Sequence, residues 1–341
     1  MDFSANIDAA QTAWLQGNGS LSMAVDERVE LQRFAFNYGF THLGVAHHWI
    51  SHPNPFLEPW PLMAYLTGQL PGVMVSGFVA LPLYSAVDIA EKVATMDHLS
   101  KGKFALKAGV GWREEEFIAA GTDVRKRGSR FEEIIEVCKK LWAGEEVNHE
   151  GKHFRLKNAR MAYAPLQRPH PPIWVASQSE AAIRRAARVG DAPWIPFQVG
   201  YPDVKVLMEA YREELAKENK PYPKTLPILR FISVDEDGDK ARERARTLEN
   251  WFQWYAQSPY FTKVKINYTW EEEIRDRTIA GTPEEVVAGL GRLYEEFGFN
   301  VFDLFVLWPS AEKAEVQRHI AYLGEKVLAP LRSLERVTPD K

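Results

Sequence analysis

Apolar positions along this chain follow two alternating periods. Short runs rich in β-branched and aromatic residues fall at 2–7, 41–48, 73–81, 103–111, 172–177, 192–197, 227–234 and 300–307. Runs of that kind, bounded by turn-forming residues, predict strands. Between them apolar residues return every three or four positions, which predicts helices over 26–38, 61–67, 86–99, 127–142, 180–189, 203–219, 239–255 with 283–297, and 311–327. In 127–142, for example, Phe131, Ile134, Cys138 and Leu141 share one face. Strict strand–helix alternation implies a parallel sheet, and eight such pairs are the number that closes into a (β/α)8 TIM barrel. A doubly wound open sheet is the structural rival. Two segments break the repeat. Residues 144–171 contain a hairpin pattern over 147–156 that turns at Glu150 and Gly151, and residues 256–281 carry Pro259, Tyr260, Phe261, Tyr268 and Trp270. Insertions of this length in a barrel are often lids or substrate walls. The chain, 1–341, reads as a single barrel domain with these two insertions.

Composition narrows the partners rather than the fold. The net charge is −4 with both signs interspersed, so no bulk field draws nucleic acid or an anionic membrane. Cys138 is the one cysteine. It excludes an internal disulfide, fits a reducing compartment and reads as a small core residue. The opening MDFSANIDAA has neither the basic nor the apolar region of a signal peptide, and no stretch nears the ~20 apolar residues of a membrane span. The expected location is the cytoplasm.

Candidate chemistry lies at the ends of the predicted strands, where barrels place their active sites. His47 and His48 end the second strand. Adjacent strand residues point to opposite sides, so one imidazole faces the pocket, as a proton-transfer group or as a hydrogen-bonded structural histidine. The same opposition argues against a metal held by His47, His48 and His52, and no metal is expected. Gly109 and Gly111 end the fourth strand, where missing side chains let a flat ligand approach the backbone. Trp112 follows, as a pocket wall or a core cap. Ser177, Gln178 and Ser179 join the fifth strand to its helix, a position suited to phosphate, although Ser177 and Glu180 also have the spacing of a capping box. Arg127 and Arg130 open a helix, free to hold phosphate or to pair with Glu132 and Glu133. Trp49, Trp60, Phe78, Trp112, Trp194 and Trp308 cluster at strand exits and suggest an apolar substrate pocket. Glu114, Glu115 and Glu116 read as an exposed helix start, with no second inward carboxylate to make a glycosidase pair.

The stretch 73–144 carries ALPL, AEKVATMDHLSKGKF, GVGW, EEFIAAGTD and RGSRFEE followed by LW. With YGFTHLGVAHHW, PPIWVASQSEAAIRRAARVGD and GTPEEV, in that order along the chain, it resembles the bacterial luciferase-like, flavin-dependent monooxygenases. The resemblance implies reduced flavin mononucleotide (FMN) as cofactor, delivered by a separate NAD(P)H:flavin reductase, and oxygen-dependent oxidation of an apolar organic substrate. It further implies a homodimer. The alternative on the same scaffold is hydride transfer with a 5-deazaflavin coenzyme. By the family's pattern His47 is the catalytic histidine, and Gly77 and Phe78 form a non-prolyl cis peptide and a bulge under the flavin ring, with a packing glycine as the plainer reading. Gly109 lets the cofactor approach, and Ser177, Gln178 and Ser179 with Arg127 and Arg130 hold its phosphate. His48, Trp49, Trp112, Trp194 and Lys107 line the substrate side. Lys107 departs from the family, which has glycine there. It shares a strand face with Gly109, and a buried ammonium needs a carboxylate, for which Asp303 is the candidate.

Overall fold

The computed structural model describes residues 1–7, 20–46, 48–51, 56–247, 272, 276–308 and 311–337. Eight parallel strands run round the molecule in chain order: β1 Asp2–Asn6, β2 His42–Val45, β3 Met74–Ala80, β4 Phe104–Gly109, β7 Ile173–Ala176, β8 Ala192–Trp194, β9 Pro227–Val234 and β11 Val301–Phe305. The ring closes between β8 and β9, where Ile195 bridges Ile228 and the Leu229 amide donates to the Ile195 carbonyl at 2.8 Å. The open-sheet rival is therefore excluded. Helices on the outside bury the outer faces of the strands. The sequence of β9, PILRFISV, is buried at every position, as expected of a parallel strand covered on both faces.

Local signals set the helix limits. Ser85 caps helix Ala86–Leu99 through the Asp88 amide. Thr282 and Glu285 form a capping box on helix Pro283–Phe297, which ends at a left-handed Gly298. Helix Arg127–Trp142 has the predicted limits, and Cys138 lies buried with its thiol on the Ala86 carbonyl at 3.3 Å. The first insertion contains the expected hairpin, β5 Val147–Glu150 antiparallel to β6 Arg155–Ala159. Most of the second, 256–281, lies outside the described residues. Its end is a strand that the periodicity did not predict: β10, Thr278–Gly281, pairs in parallel with Phe231–Val234 at the far end of β9. The predicted helix 311–327 is longer and irregular. It runs as Lys313–Leu323, a π turn at Gly324–Leu328, and Ala329–Val337.

One expectation is corrected here. The peptide between Gly77 and Phe78 is trans, and the one cis bond among the described residues is Arg168–Pro169. β3 pairs without a break through these positions, Gly77 with Val45 and Leu106 and Phe78 with Lys107, so no bulge interrupts the ladder. Gly77 faces outward, where a Cβ would collide with the Met63 sulfur of helix Pro59–Gln69. It is a packing glycine.

Candidate active site

A cleft opens at the strand exits, with about 940 Å3 of empty space, its mouth included. Phe78, Trp112, Trp194, Phe197 and Phe305 wall it, and Asn6, Gln178 and Gln198 add carboxamides. Phe78 and Trp194 lie 5.7 Å apart, centroid to centroid, and Phe231 stacks on Phe305 behind the wall at 4.6 Å. Among the described residues, the Gln198 side-chain oxygen is buried without a hydrogen-bond partner. Such an acceptor is costly unless a ligand donor meets it.

The floor is ionic. Lys107 lines the cleft and is 2% exposed, and its Nζ lies 2.6 Å from Asp303 Oδ2, in a carboxylate that is 1% exposed. Trp194 Nε1 donates to the same oxygen at 2.7 Å. The pairing anticipated for these residues is present. Burial pulls the Lys107 ammonium below the usual lysine range, and the Asp303 charge opposes that pull. The Lys107 ammonium also sits 5.4 Å from the centre of the Trp194 ring.

At the mouth, His48 faces the cleft. Its Nδ1 is 3.2 Å from Glu116 Oε1, and its ring meets the edges of Phe56 and Trp112. Glu116 Oε1 also accepts the Trp49 amide at 2.9 Å, while Arg113 donates to the Trp49 carbonyl at 2.6 Å and the Ile50 carbonyl at 3.1 Å. Burial acts to raise the Glu116 carboxyl. The His48 ring, the Trp49 amide and Arg113 outweigh it and hold the group below the usual carboxylate range. Glu116 is thus no solvated helix start but the buried clasp of the segment after β2. The signal available in the sequence was its spacing from Arg113 and its place before the buried Phe117.

The remaining predicted residues divide. His48, Phe78, Lys107, Trp112, Gln178 and Trp194 meet at the cleft, whereas His47 lies outside the described residues. Trp49 packs on Tyr84, Trp60 on Phe104, and Trp308 under the Arg244 guanidinium. The space above Gly109 holds the Phe78 ring, so at this position the ring, not the backbone of β4, faces the cleft. Ser177 is fully buried and donates its only hydroxyl proton to the Val175 carbonyl at 2.9 Å, which leaves none for a phosphate. The cap of helix Glu180–Val189 is Ser179, through the Ala182 amide, not Ser177. Arg130 grips the Pro82 and Tyr84 carbonyls at 2.8 and 3.0 Å and covers the Phe154 ring. Arg127 donates to the Val124 carbonyl. Neither takes Glu132 or Glu133, which are held by Arg185 and Arg188 and by the His149 ring and nearby amides.

An aromatic cleft at the exits of a closed parallel barrel defines a barrel enzyme with its site on the usual rim. The sequence profile of the luciferase-like monooxygenases matches residues 1–300, and the chain belongs to that family of oxidoreductases. It is similar to the oxygenase component of the flavin-dependent trigonelline monooxygenase of Acinetobacter baylyi, 26% identical over 321 residues, covering 86% of this chain and 88% of that one. Its fold is shared by the oxygenating constituent of 3,6-diketocamphane monooxygenase of Pseudomonas putida, solved with FMN (TM-score 0.79, 15% identity, 96% of this chain and 98% of that one). An F420-dependent secondary alcohol dehydrogenase shares it too (TM-score 0.76, 18% identity, 96% and 98%). The likeness to these two structures is one of fold alone. No helix among the described residues is long and apolar enough to cross a membrane.

Proposed function

We propose that this protein is the oxygenase of a two-component system, using reduced FMN from a separate NAD(P)H:flavin reductase, and oxygen, to oxidise an organic substrate with a largely apolar body. The observation that carries this reading is the cleft itself, with flat aromatic walls and the buried, partnerless Gln198 oxygen set to accept a ring N–H. An isoalloxazine fits those features, being planar, aromatic and polar along one edge. When bound, it supplies the redox chemistry. The chain's own residues orient and shield it. Phe78, Trp194 and Phe305 exclude water, Gln178 and Gln198 fix the polar edge, and His48 on Glu116 presents an imidazole for proton transfer. His47 is kept as a second imidazole for that role. The phosphate falls to Ser179, the amides that open helix Glu180–Val189, and Arg127, since that helix start is exposed beside the cleft. The buried apolar residues form one cluster from Met1 to Leu331, and we read the chain as one domain that pairs as a homodimer.

Titrating the protein with reduced FMN and with reduced 5-deazaflavin coenzyme, followed by oxygen-consumption assays, tests the reading. The expected result is preference for FMN and oxygen uptake that depends on reduced flavin. Preference for the deazaflavin without oxygen uptake would replace oxygenation by hydride transfer, and affinity for neither would remove the cofactor.

A further inference from the structure

The polar floor of the cleft continues downward through the barrel. Ser4 on β1 is the Cα partner of Asp303 on β11 and of His42 on β2. Residues in register on parallel strands project to the same side, here the interior. Ser4 is fully buried and its Oγ has no hydrogen-bond partner among the described residues. The same holds for Asp303 Oδ1, whose other oxygen carries Lys107 and Trp194. Two orphaned polar atoms sit in register in the same interior layer, and two to four such partners are what a buried water requires.

From His42 the chain of contacts reaches the opposite end of the barrel. His42 Nδ1 lies 2.8 Å from Thr41 Oγ1, and the Thr41 hydroxyl donates to Asp2 Oδ1 at 3.1 Å. Asp2 and Thr41 are exposed. Because a hydroxyl has one proton and Thr41 gives it to Asp2, His42 Nδ1 must carry the hydrogen in that bond. Nε2 then offers a lone pair for a donor from the Ser4 side.

We propose that the barrel interior is a proton outlet, running from Lys107 at the cleft floor through Asp303, a water held by Ser4, His42 and Thr41 to Asp2 on the face opposite the cleft. The transfer balances. The Lys107 ammonium gives a proton to Asp303, Asp303 passes one by way of the water to His42 Nε2, and His42 releases its Nδ1 proton by way of Thr41 to Asp2. The Lys107 amine then takes one proton from whatever group is losing it in the cleft. One proton leaves the cleft for each that reaches Asp2, and no electrons move. Burial favours the neutral forms of Lys107 and of His42, the latter against the pull of Asp2 and Asp303. The other groups at the path are Trp194 beside Asp303 and, near Asp2, the Met1 amine and Arg332. A ligand filling the aromatic cleft would cover Lys107 from above, which gives a route from below its use. The outlet holds whichever cofactor the cleft takes.

Two measurements decide it. Neutron diffraction from crystals in deuterium oxide should show a water within hydrogen-bond distance of Ser4 Oγ and Asp303 Oδ1, and a deuteron on His42 Nδ1. No water there, or a bare Nδ1, overturns the outlet. This arm needs no ligand, so it decides even if FMN fails to bind. The second arm follows solvent exchange of the Lys107 Nζ protons by NMR on 15N-lysine protein saturated with FMN. Ser4→Ala and His42→Gln should each slow exchange by about tenfold, the scale of losing one hydrogen bond from the chain. Gln can keep the Thr41 contact yet cannot relay a proton, so it separates relay from packing. Unchanged exchange in folded variants with unchanged FMN affinity overturns the proposal.

Discussion

Two histidines near the exits of the strands are held in opposite ways. His48 leans on a carboxylate, Glu116, at the mouth of the cleft. His319, in helix Lys313–Leu323, is clamped between backbone groups. Its Nε2 accepts the Val234 amide at 3.1 Å and its Nδ1 donates to the Val306 carbonyl at 3.2 Å. An imidazole that must accept on one nitrogen and donate on the other has a single usable state, the neutral one. Burial, and then the nearby Arg244, push His319 down to about 3. It is a rivet between β9 and β11. A ring backed by a carboxylate has no such constraint, since the Glu116 oxygen accepts from Nδ1 whatever Nε2 carries. The partner set, together with burial, distinguishes the proposed proton-transfer histidine from the structural one.

The largest test of this contrast is His319→Leu. It orphans one buried amide and one buried carbonyl, at about 1–3 kcal/mol each, so urea denaturation should show a loss of about 2–6 kcal/mol. A loss below 1 kcal/mol would mean that the clamp carries no weight. Glu116→Gln comes next. Losing charge-assisted bonds should cost about 1.5–3 kcal/mol by the same measurement, while FMN affinity is retained. The smallest effect is a pH dependence. His319 titrates near 6.5 in the unfolded chain and about 3 in the folded one. The unfolded state therefore binds the extra proton as pH falls. The contribution of the neutral ring is present above pH 6.5 and is lost as pH falls toward 3, at a rate that approaches about 1.4 kcal/mol per pH unit below pH 5.5. Comparing wild type with His319→Gln at pH 6.5 and 5.5 should show wild type losing about 1 kcal/mol more. Equal losses would deny the clamp its selectivity for the neutral ring.

All eight barrel strands were legible because each is a short apolar run whose length and flanks leave little choice. Lys107 and Asp303 were legible together, since the alternation of β4 and β11 turned a lysine inward and a buried ammonium demands an anion. Glu116 was not. Three successive glutamates read as a solvated helix start, and only the Arg113 side chain and the fold of 48–50 reveal that one of them is enclosed. Ser177 misled for a related reason: a hydroxyl between strand and helix suits a phosphate, but the Val175 carbonyl lies closer in sequence and takes its proton first. Gly77 and Phe78 misled because the strand pattern of β3 cannot report the geometry of a single peptide bond, which only the backbone shows to be trans.

The Phe78 ring rests in the hollow that Gly109 leaves by having no side chain. A methyl group there would collide with the ring and force it to shift, while leaving every cleft-lining residue type unchanged. The position of one wall of the cleft is thus set from behind, by a residue that does not line it.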